Sequence, residues 1–534
     1  MHAPMPPAPR NYQHMVRMIL LLAISLLLGA CQSTTTARDP LTLPTNSGLS
    51  AVVVSITANT GEIRGFTRLS VHRLPAPGEE GQVAQYFLLE RQGEDMSRDT
   101  ALFIGAMPPG RYAFSRLDDD RTSKHLWLRE NGKLLGEFTV EAGTALDLGR
   151  LIVTPVNNKV VFGRSVRVAS NRALLERLSP AHLPLFAAGP VIGWGRERSD
   201  GDKVEEYALA RPVGAACPTE LPNGAVVAAS RLGTVHYRSV EGNWRALRGP
   251  AIDSLLCVIP ADLPNAELLV VGEFGTLLRK PPNEDRLVPV ETGNLPPGNL
   301  IRIAGNRKAG WYIALEHNKQ VTLFHTPDLA SGKWAPLQTL DIGFDLWHGK
   351  NQFFMWSDAQ GLGVANTVGP IHRLDYASGT WTRHDTPGKA RLTAVSADPA
   401  GSMSALTSPG GGFGGVFADV WISNDKALSW QPVTMPFKIK TAPVQRAWDG
   451  AMYAAGGGIG KGELQVSKDQ GKTWTLLTEY ELGRELLPLR SGKLLDFNFA
   501  QFGFFSIGSS ADGGKTWVTE YHNFDHQAYE AGKR

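Results

Sequence analysis

Three copies of one eight-residue turn stand near the C-terminus, and their spacing restricts the fold more than any other feature of the chain. They read Ser423-Asn424-Asp425-Lys426-Ala427-Leu428-Ser429-Trp430, Ser467-Lys468-Asp469-Gln470-Gly471-Lys472-Thr473-Trp474 and Ser510-Ala511-Asp512-Gly513-Gly514-Lys515-Thr516-Trp517. The shared pattern is S-x-D-x-G-x-[ST]-W, with Ala427 standing for the glycine in the first copy. A short carboxylate accepts hydrogen bonds from the backbone N–H groups that follow it, and a glycine two positions on tolerates positive φ, so the turn closes tightly. Trp430, Trp474 and Trp517 then open the next strand with a large apolar plate to bury against a neighbouring unit. Three equivalent turns on a repeat share a structural job, so Asp425, Asp469 and Asp512 are read as turn-closing and not as catalytic.

The three tryptophans lie 44 and 43 residues apart, a period that suits one four-stranded unit. The same step backwards reaches Trp381, Trp334 and Trp244, with Leu287 at the midpoint of the last, double interval. The series 244, 287, 334, 381, 430, 474, 517 has seven members. Short apolar runs such as Ala225-Val226-Val227-Ala228-Ala229, Glu267-Leu268-Leu269-Val270-Val271 and Gln352-Phe353-Phe354-Met355-Trp356, bounded by turn residues, read as strands buried on both faces.

The turn resembles the Asp box, or BNR repeat, of sialidases, sortilin-type receptors and photosystem II assembly factors. Asp425, Trp430, Asp469, Gly471, Trp474, Asp512, Gly514 and Trp517 are its matching positions. Val270-Val271-Gly272-Glu273-Phe274-Gly275-Thr276-Leu277-Leu278-Arg279 is similar to the G-x-x-G-T-[IVL]-x-R unit of photosystem II stability and assembly factor-like propellers, and Leu232-Gly233-Thr234-Val235 is a weaker copy. The resemblance implies an all-β chain with a seven-bladed β-propeller over residues 211–521; it does not indicate a ligand.

At the other end, Arg17 precedes an apolar stretch from Met18 to Leu28, too short to span a bilayer. Leu28-Gly29-Ala30-Cys31 resembles the bacterial lipobox. That resemblance implies a signal peptide over 1–30, acylation (palmitate) of Cys31 and a membrane anchor. Gln32, in place of an aspartate, favours the outer membrane, with the protein facing the periplasm. Residues 31–49, rich in Thr, Pro and Ser, read as a tether. Residues 50–155 read as a small β-sandwich, in which Met107-Pro108-Pro109-Gly110-Arg111-Tyr112 resembles the edge of prealbumin-like sandwiches. Residues 156–210 form a connector with one short helix over Ala173–Leu178, stopped before Pro180, and 522–534 a tail. Cys217 and Cys257, forty residues apart, fall on innermost strands of adjacent blades, and the sequence leaves open whether they are bridged or free.

Catalytic chemistry is thin. No G-x-S-x-G, H-E-x-x-H or P-loop string occurs. The nearest approach to the [FY]-R-I-P segment of sialidases is Ile301-Arg302-Ile303-Ala304, without the proline or the aromatic. His317 and His325 are read as hydrogen-bonded or solvent-facing, so no metal, cofactor or catalytic residue is expected. Removing Arg10 and Arg17 with the signal takes the formal charge from +3 to +1, which gives no basic stripe for nucleic acid. The expected function is therefore that of a lipid-anchored, non-enzymatic envelope scaffold that binds a protein partner or assists assembly of an envelope complex. The alternative is a glycan-binding or glycan-cleaving, sialidase-like propeller. Partner contact is expected on Gly-rich loops of blades four to six, carrying Leu362, Phe413, Phe417 and Ile459.

Overall fold

The computed structural model describes residues 33–523, apart from 45, 61–62, 64, 77, 79–83, 94–96, 120–121, 123, 129–134, 157–158, 169, 187–200, 346–348, 399–400, 409–417, 441, 459–460, 481–483 and 500–502. Seven antiparallel sheets in chain order, each up-and-down, form a seven-bladed β-propeller, with a two-stranded hairpin of Phe344–Asp345 and Gly349–Lys350 between the third and fourth. Their first strands begin at Ala216, Leu255, Asn299, Phe353, Arg391, Ile439 and Glu485; strands are called a to d from the axis outwards. In blade 6, strand a is split into Ile439–Lys440 and Gln445–Arg446.

The spaced tryptophans, with Leu287, stand at the start of strand d in every blade. A hydrophobic cluster fills each seam between neighbouring blades, and each contains the marker of the later blade. Leu287 lies between blades 1 and 2, Trp334 between 2 and 3, Trp381 between 3 and 4 and Trp430 between 4 and 5. Trp474, Trp517 and Trp244 occupy the seams 5–6, 6–7 and 7–1. The period thus records a packing requirement: one bulky plate per seam.

The last seam joins the two ends of the ring. Every blade comes from one contiguous stretch of chain, and among the described residues no strand pairing crosses this seam, so side chains reach over it. Arg238 of blade 1 makes a two-pronged pair with Glu520 of blade 7, at 2.7 Å for both bonds, and Trp244 Nε1 donates to the same carboxylate at 2.9 Å. Tyr521 donates its hydroxyl proton to the Pro212 carbonyl at 2.8 Å. His236 is buried among Trp244, Phe505 and Tyr521.

Ahead of the propeller stands a small sandwich-like domain made of one ten-stranded sheet. Its strands are β1 (Ser33–Thr36), β2 (Ser50–Ala58), β3 (Arg68–Arg73), β4 (Gln85–Gln92), β5 (Thr100–Met107), β6 (Gly110–Asp119), β7 (Lys124–Trp127), β8 (Phe138–Val140), β9 (Leu146–Val156) and β10 (Lys159–Arg164). Alternate residues such as Val52, Val54, Ile56, Phe103, Tyr112 and Phe138 form its core. Tyr112 donates to the Pro108 carbonyl at 2.7 Å, which ties down the Pro-Pro-Gly turn.

Two expectations about this region change. The segment read as a tether is laid into the domain: β1 runs parallel to β4, Arg38 bridges to Ala106, Ala37 is buried, and Asp39 caps a short helical turn and meets His182 at 2.9 Å. Thr-rich sequence suits an edge strand as well as a linker. The sheet also continues to Arg164, nine residues past the expected boundary at 155. In the connector, α1 (Arg172–Leu178) ends before Pro180, and a second helix, α2 (Gly201–Ala210), precedes blade 1.

The sandwich docks on the face of the ring that carries the b–c and d–a connections, over blades 7, 1 and 2. Leu232 and Phe274, both at φ 55, project from the b–c turns of blades 1 and 2. Leu232 is buried with Ile152, Ala208 and Leu209, and Phe274 with Val53, Leu102 and Leu174. Each is followed by a left-handed glycine, and a Cβ on Gly233 would lie 1.8 Å from the Ala251 carbonyl oxygen, so that turn admits no other residue. At blade 7, Gly503 abuts Thr60.

Candidate functional site

Inner strands build the axial cavity. In blades 1, 2, 3 and 5, strand a carries a register shift just after its start, at Cys217–Pro218, Leu256, Ile301 and Thr393. Bulges of this kind re-aim side chains. Beside the first two, Cys217 and Cys257 form a disulfide with Cα atoms 5.0 Å apart, stitching blade 1 to blade 2. A cavity of about 370 Å³ is lined from strands a of blades 1, 5, 6 and 7, by Pro218, Ser396, Gln445, Arg484 and Glu485 among others, with Tyr453 of strand b. The break in strand a of blade 6 lies on its wall.

The charged groups at the axis hold one another. Arg484 donates to Asp496 at 2.6 Å and lies 5.3 Å from the centre of the Tyr480 ring. Burial raises the Glu485 carboxyl above its usual range, partly offset by Arg302, and burial lowers the Arg302 guanidinium. Ser396, Ala397, Gln445 and Leu487 also line a second cavity of about 270 Å³. This one opens between the a–b hairpins of blades 5 and 6, on the face opposite the sandwich. Its bed is Met403, Ile422, Val444 and Met452, all buried. On its rim Trp448 is 48% exposed, with the Arg490 guanidinium 4.5 Å from the ring centre.

The three repeated turns border that same face, as c–d connections. In each, the serine hydroxyl donates to the aspartate and accepts a backbone N–H: Ser467 Oγ to Asp469 at 2.7 Å and Gly471 N to Ser467 Oγ at 2.8 Å. The aspartate also takes Thr473 N at 2.9 Å and the Thr473 hydroxyl. The turns at Asp425 and Asp512 repeat this network. Hydrogen bonds from Thr473 and Ser467 hold the Asp469 carboxyl down to about 2, and those from Thr516 and Ser510 lower Asp512. These carboxylates are committed to their own turns.

No protein-family model and no curated protein sequence matches the chain. Among solved structures it is similar to one described as YCF48 bound to D1 peptide, at 16% identity over 59% of this chain and 87% of that one, with a TM-score of 0.36. It is similar to an ancestral GH74 enzyme at 13% identity over 59% and 47%, TM-score 0.42. A catalytically inactive virginiamycin B lyase from Staphylococcus aureus with quinupristin is similar at 10% identity over 57% and 94%, TM-score 0.37. Likenesses this distant add no function, and the seven blades are read from this chain's own strand pairing.

The residues expected on partner-binding loops fare differently. Leu362 is not on a loop: Gly361–Asn366 is strand b of blade 4, and Leu362 is fully buried in the seam with blade 3. Glycine is unusual in a strand, but the Trp356 indole lies where a Cβ on Gly363 would be, 2.1 Å away. Gly456–Gly458 likewise belong to strand b of blade 6, where the Phe437 ring covers Gly456. Phe413, Phe417 and Ile459 lie outside the described residues, as does Cys31. His317 and His325 stand at opposite ends of their hairpin, the latter bonded to the Ala309 carbonyl at 3.1 Å. Sequence reading missed the cavity at Trp448, whose one signal was an exposed aromatic between turn residues, Ala447-Trp448-Asp449-Gly450. It also missed the docking role of Glu273 and Phe274, although the motif holding them was visible.

Proposed function

We propose that this protein is a lipid-anchored, non-enzymatic scaffold of the bacterial envelope, acylated at Cys31 in the outer membrane and facing the periplasm, and that its propeller holds a protein partner. The observation that carries the reading is the cleft at Trp448. It joins an apolar bed to a polar rim, adjoins the axial cavity, and opens on the face that the docked sandwich leaves clear. A buried apolar bed beside an exposed aromatic is the anatomy of a side-chain anchor site. The axial Arg484 is engaged by Asp496 in holding the wall, which favours binding over chemistry. Affinity recovery from detergent-solubilised envelopes tests this: wild type should retain a protein that Trp448→Ala, with unchanged melting temperature, does not. Equal recovery would remove the cleft from the reading.

A glycan-directed reading keeps one observation in its favour, since Tyr453, Arg484 and Glu485 border a common cavity. Turnover of a fluorogenic sialoside, abolished by Glu485→Gln, would favour it over the scaffold; no turnover is expected.

A further inference from the structure

The domain interface contains a carboxyl that the binding reading leaves unused. Glu273 sits on the b–c turn of blade 2 with 2% of its surface exposed. From the sandwich, Ser97 Oγ donates to its Oε2 at 2.7 Å and Arg98 N to its Oε1 at 3.1 Å. Asp99 follows in the same turn, held by Ser254 Oγ at 2.8 Å and by Arg231 of blade 1 at 3.1 Å. Asp253, on the connection entering blade 2, pairs at 2.6 Å with Arg150 of β9. Arg91 donates to the Ser97 carbonyl at 3.3 Å behind this turn, and Arg177 of α1 lies 5.8 Å from the centre of the adjoining Phe274 ring.

The charges therefore pair off without Glu273. Asp99 has Arg231 and Asp253 has Arg150, the Arg98 guanidinium acts on Arg302 at the axis, and the hydrogen bonds to Glu273 come from a hydroxyl and an amide. A third negative charge here would be buried, uncompensated and close to two carboxylates, an arrangement that keeps a proton on one of them. We propose that docking of the sandwich on blade 2 is proton-linked: Glu273 is protonated in the closed interface and ionises when the domains part, so acid tightens the contact and alkali loosens it.

Burial first, and then the charges of Asp99 and Asp253, push the Glu273 carboxyl from 4.5 up to about 8. Between those two values the closed form binds one proton more than the open form. Closure takes that proton from solvent, and opening returns it. The closing constant then falls about tenfold for each pH unit gained, roughly three-thousandfold across the window, and levels off above it.

Hydrogen exchange on the full chain tests this, with amides of Ser97–Thr100 and Glu273–Thr276 followed from pH 6 to 9 and blade 5 amides as internal reference for the intrinsic rate. In wild type the opening constant should rise about tenfold per pH unit and flatten past about 8. Glu273→Gln, which keeps the shape and cannot ionise, should show a flat profile. Parallel profiles in the two proteins overturn the proposal. Should the variant fail to fold, wild type still decides: an opening constant unchanged between pH 6 and 8 overturns it, and a one-proton slope that saturates near 8 supports it.

Discussion

At the scale of single residues, burial ranks the repeated markers. Trp334 is 3% exposed in its seam, while Trp474 is only partly buried and anchors its indole N–H on the Thr434 carbonyl at 3.1 Å. Trp334→Ala should cost about 3–5 kcal/mol, the usual loss for emptying a core aromatic site, and Trp474→Ala about half of that; urea unfolding of the two variants checks the order. Asp469→Ala should loosen one exposed turn and leave partner recovery intact. The acid behaviour of this turn has a definite sign. Asp469 titrates below its ordinary 3.8, at about 2, so its contribution is complete above 3.8 and is lost as pH falls through about 2. Ala427 shows that the turn survives without glycine: it holds φ 70, in the left-handed region, and fills the seam with a buried methyl.

At the scale of elements, the closing seam and the disulfide carry the sharpest expectations. Glu520→Gln leaves Arg238 buried without its charge partner and should cost about 3–5 kcal/mol, read as a fall in unfolding free energy that Trp474→Ala does not match. Burial pushes the His236 imidazole down to about 3 from 6.5. The unfolded chain therefore binds the extra proton between those values, and the seam should weaken as pH falls below about 6.5; His236→Phe should flatten that acid limb in a urea series. Replacing Cys217 and Cys257 by serine should cost about 3–4 kcal/mol for a loop of 40 residues. The blades were legible because Trp244, Leu287, Trp334, Trp381, Trp430, Trp474 and Trp517 each mark a seam, and seams recur with the sheet. Strand b of blade 4 was not, because its glycines give way to Trp356, a contact between strands that no local pattern encodes. The cleft at Trp448 escaped for the same reason: its bed is assembled from blades 5 and 6, and its rim from 6 and 7. The Thr-rich stretch at Ser33–Thr36 reads as linker until β4 is beside it.

At the scale of the whole molecule, the propeller and the proposed anchor meet the sandwich in different places. Ser33 pairs with Gln85 at the end of the sheet beyond Met107, whereas the propeller is met by Asn59, Ser97 and Asp99 at the other end and by Val53 and Leu102 between. At about 3.3 Å per residue, roughly 20–35 Å of sheet separates the two. If Cys31 is acylated, the sandwich becomes a stiff stand-off and the Trp448 cleft opens on the propeller face away from it. Cys31→Ser should move the protein from the membrane fraction to the soluble one, and membrane retention in high salt would show a second attachment. The parallel pairing of β1 with β4 then acquires a mechanical meaning. A pull on the N-terminus, resisted by the propeller, runs along the strands and loads the hydrogen bonds between Ser33–Thr36 and Gln85–Leu88 together, in shear, so they share the force instead of peeling one after another.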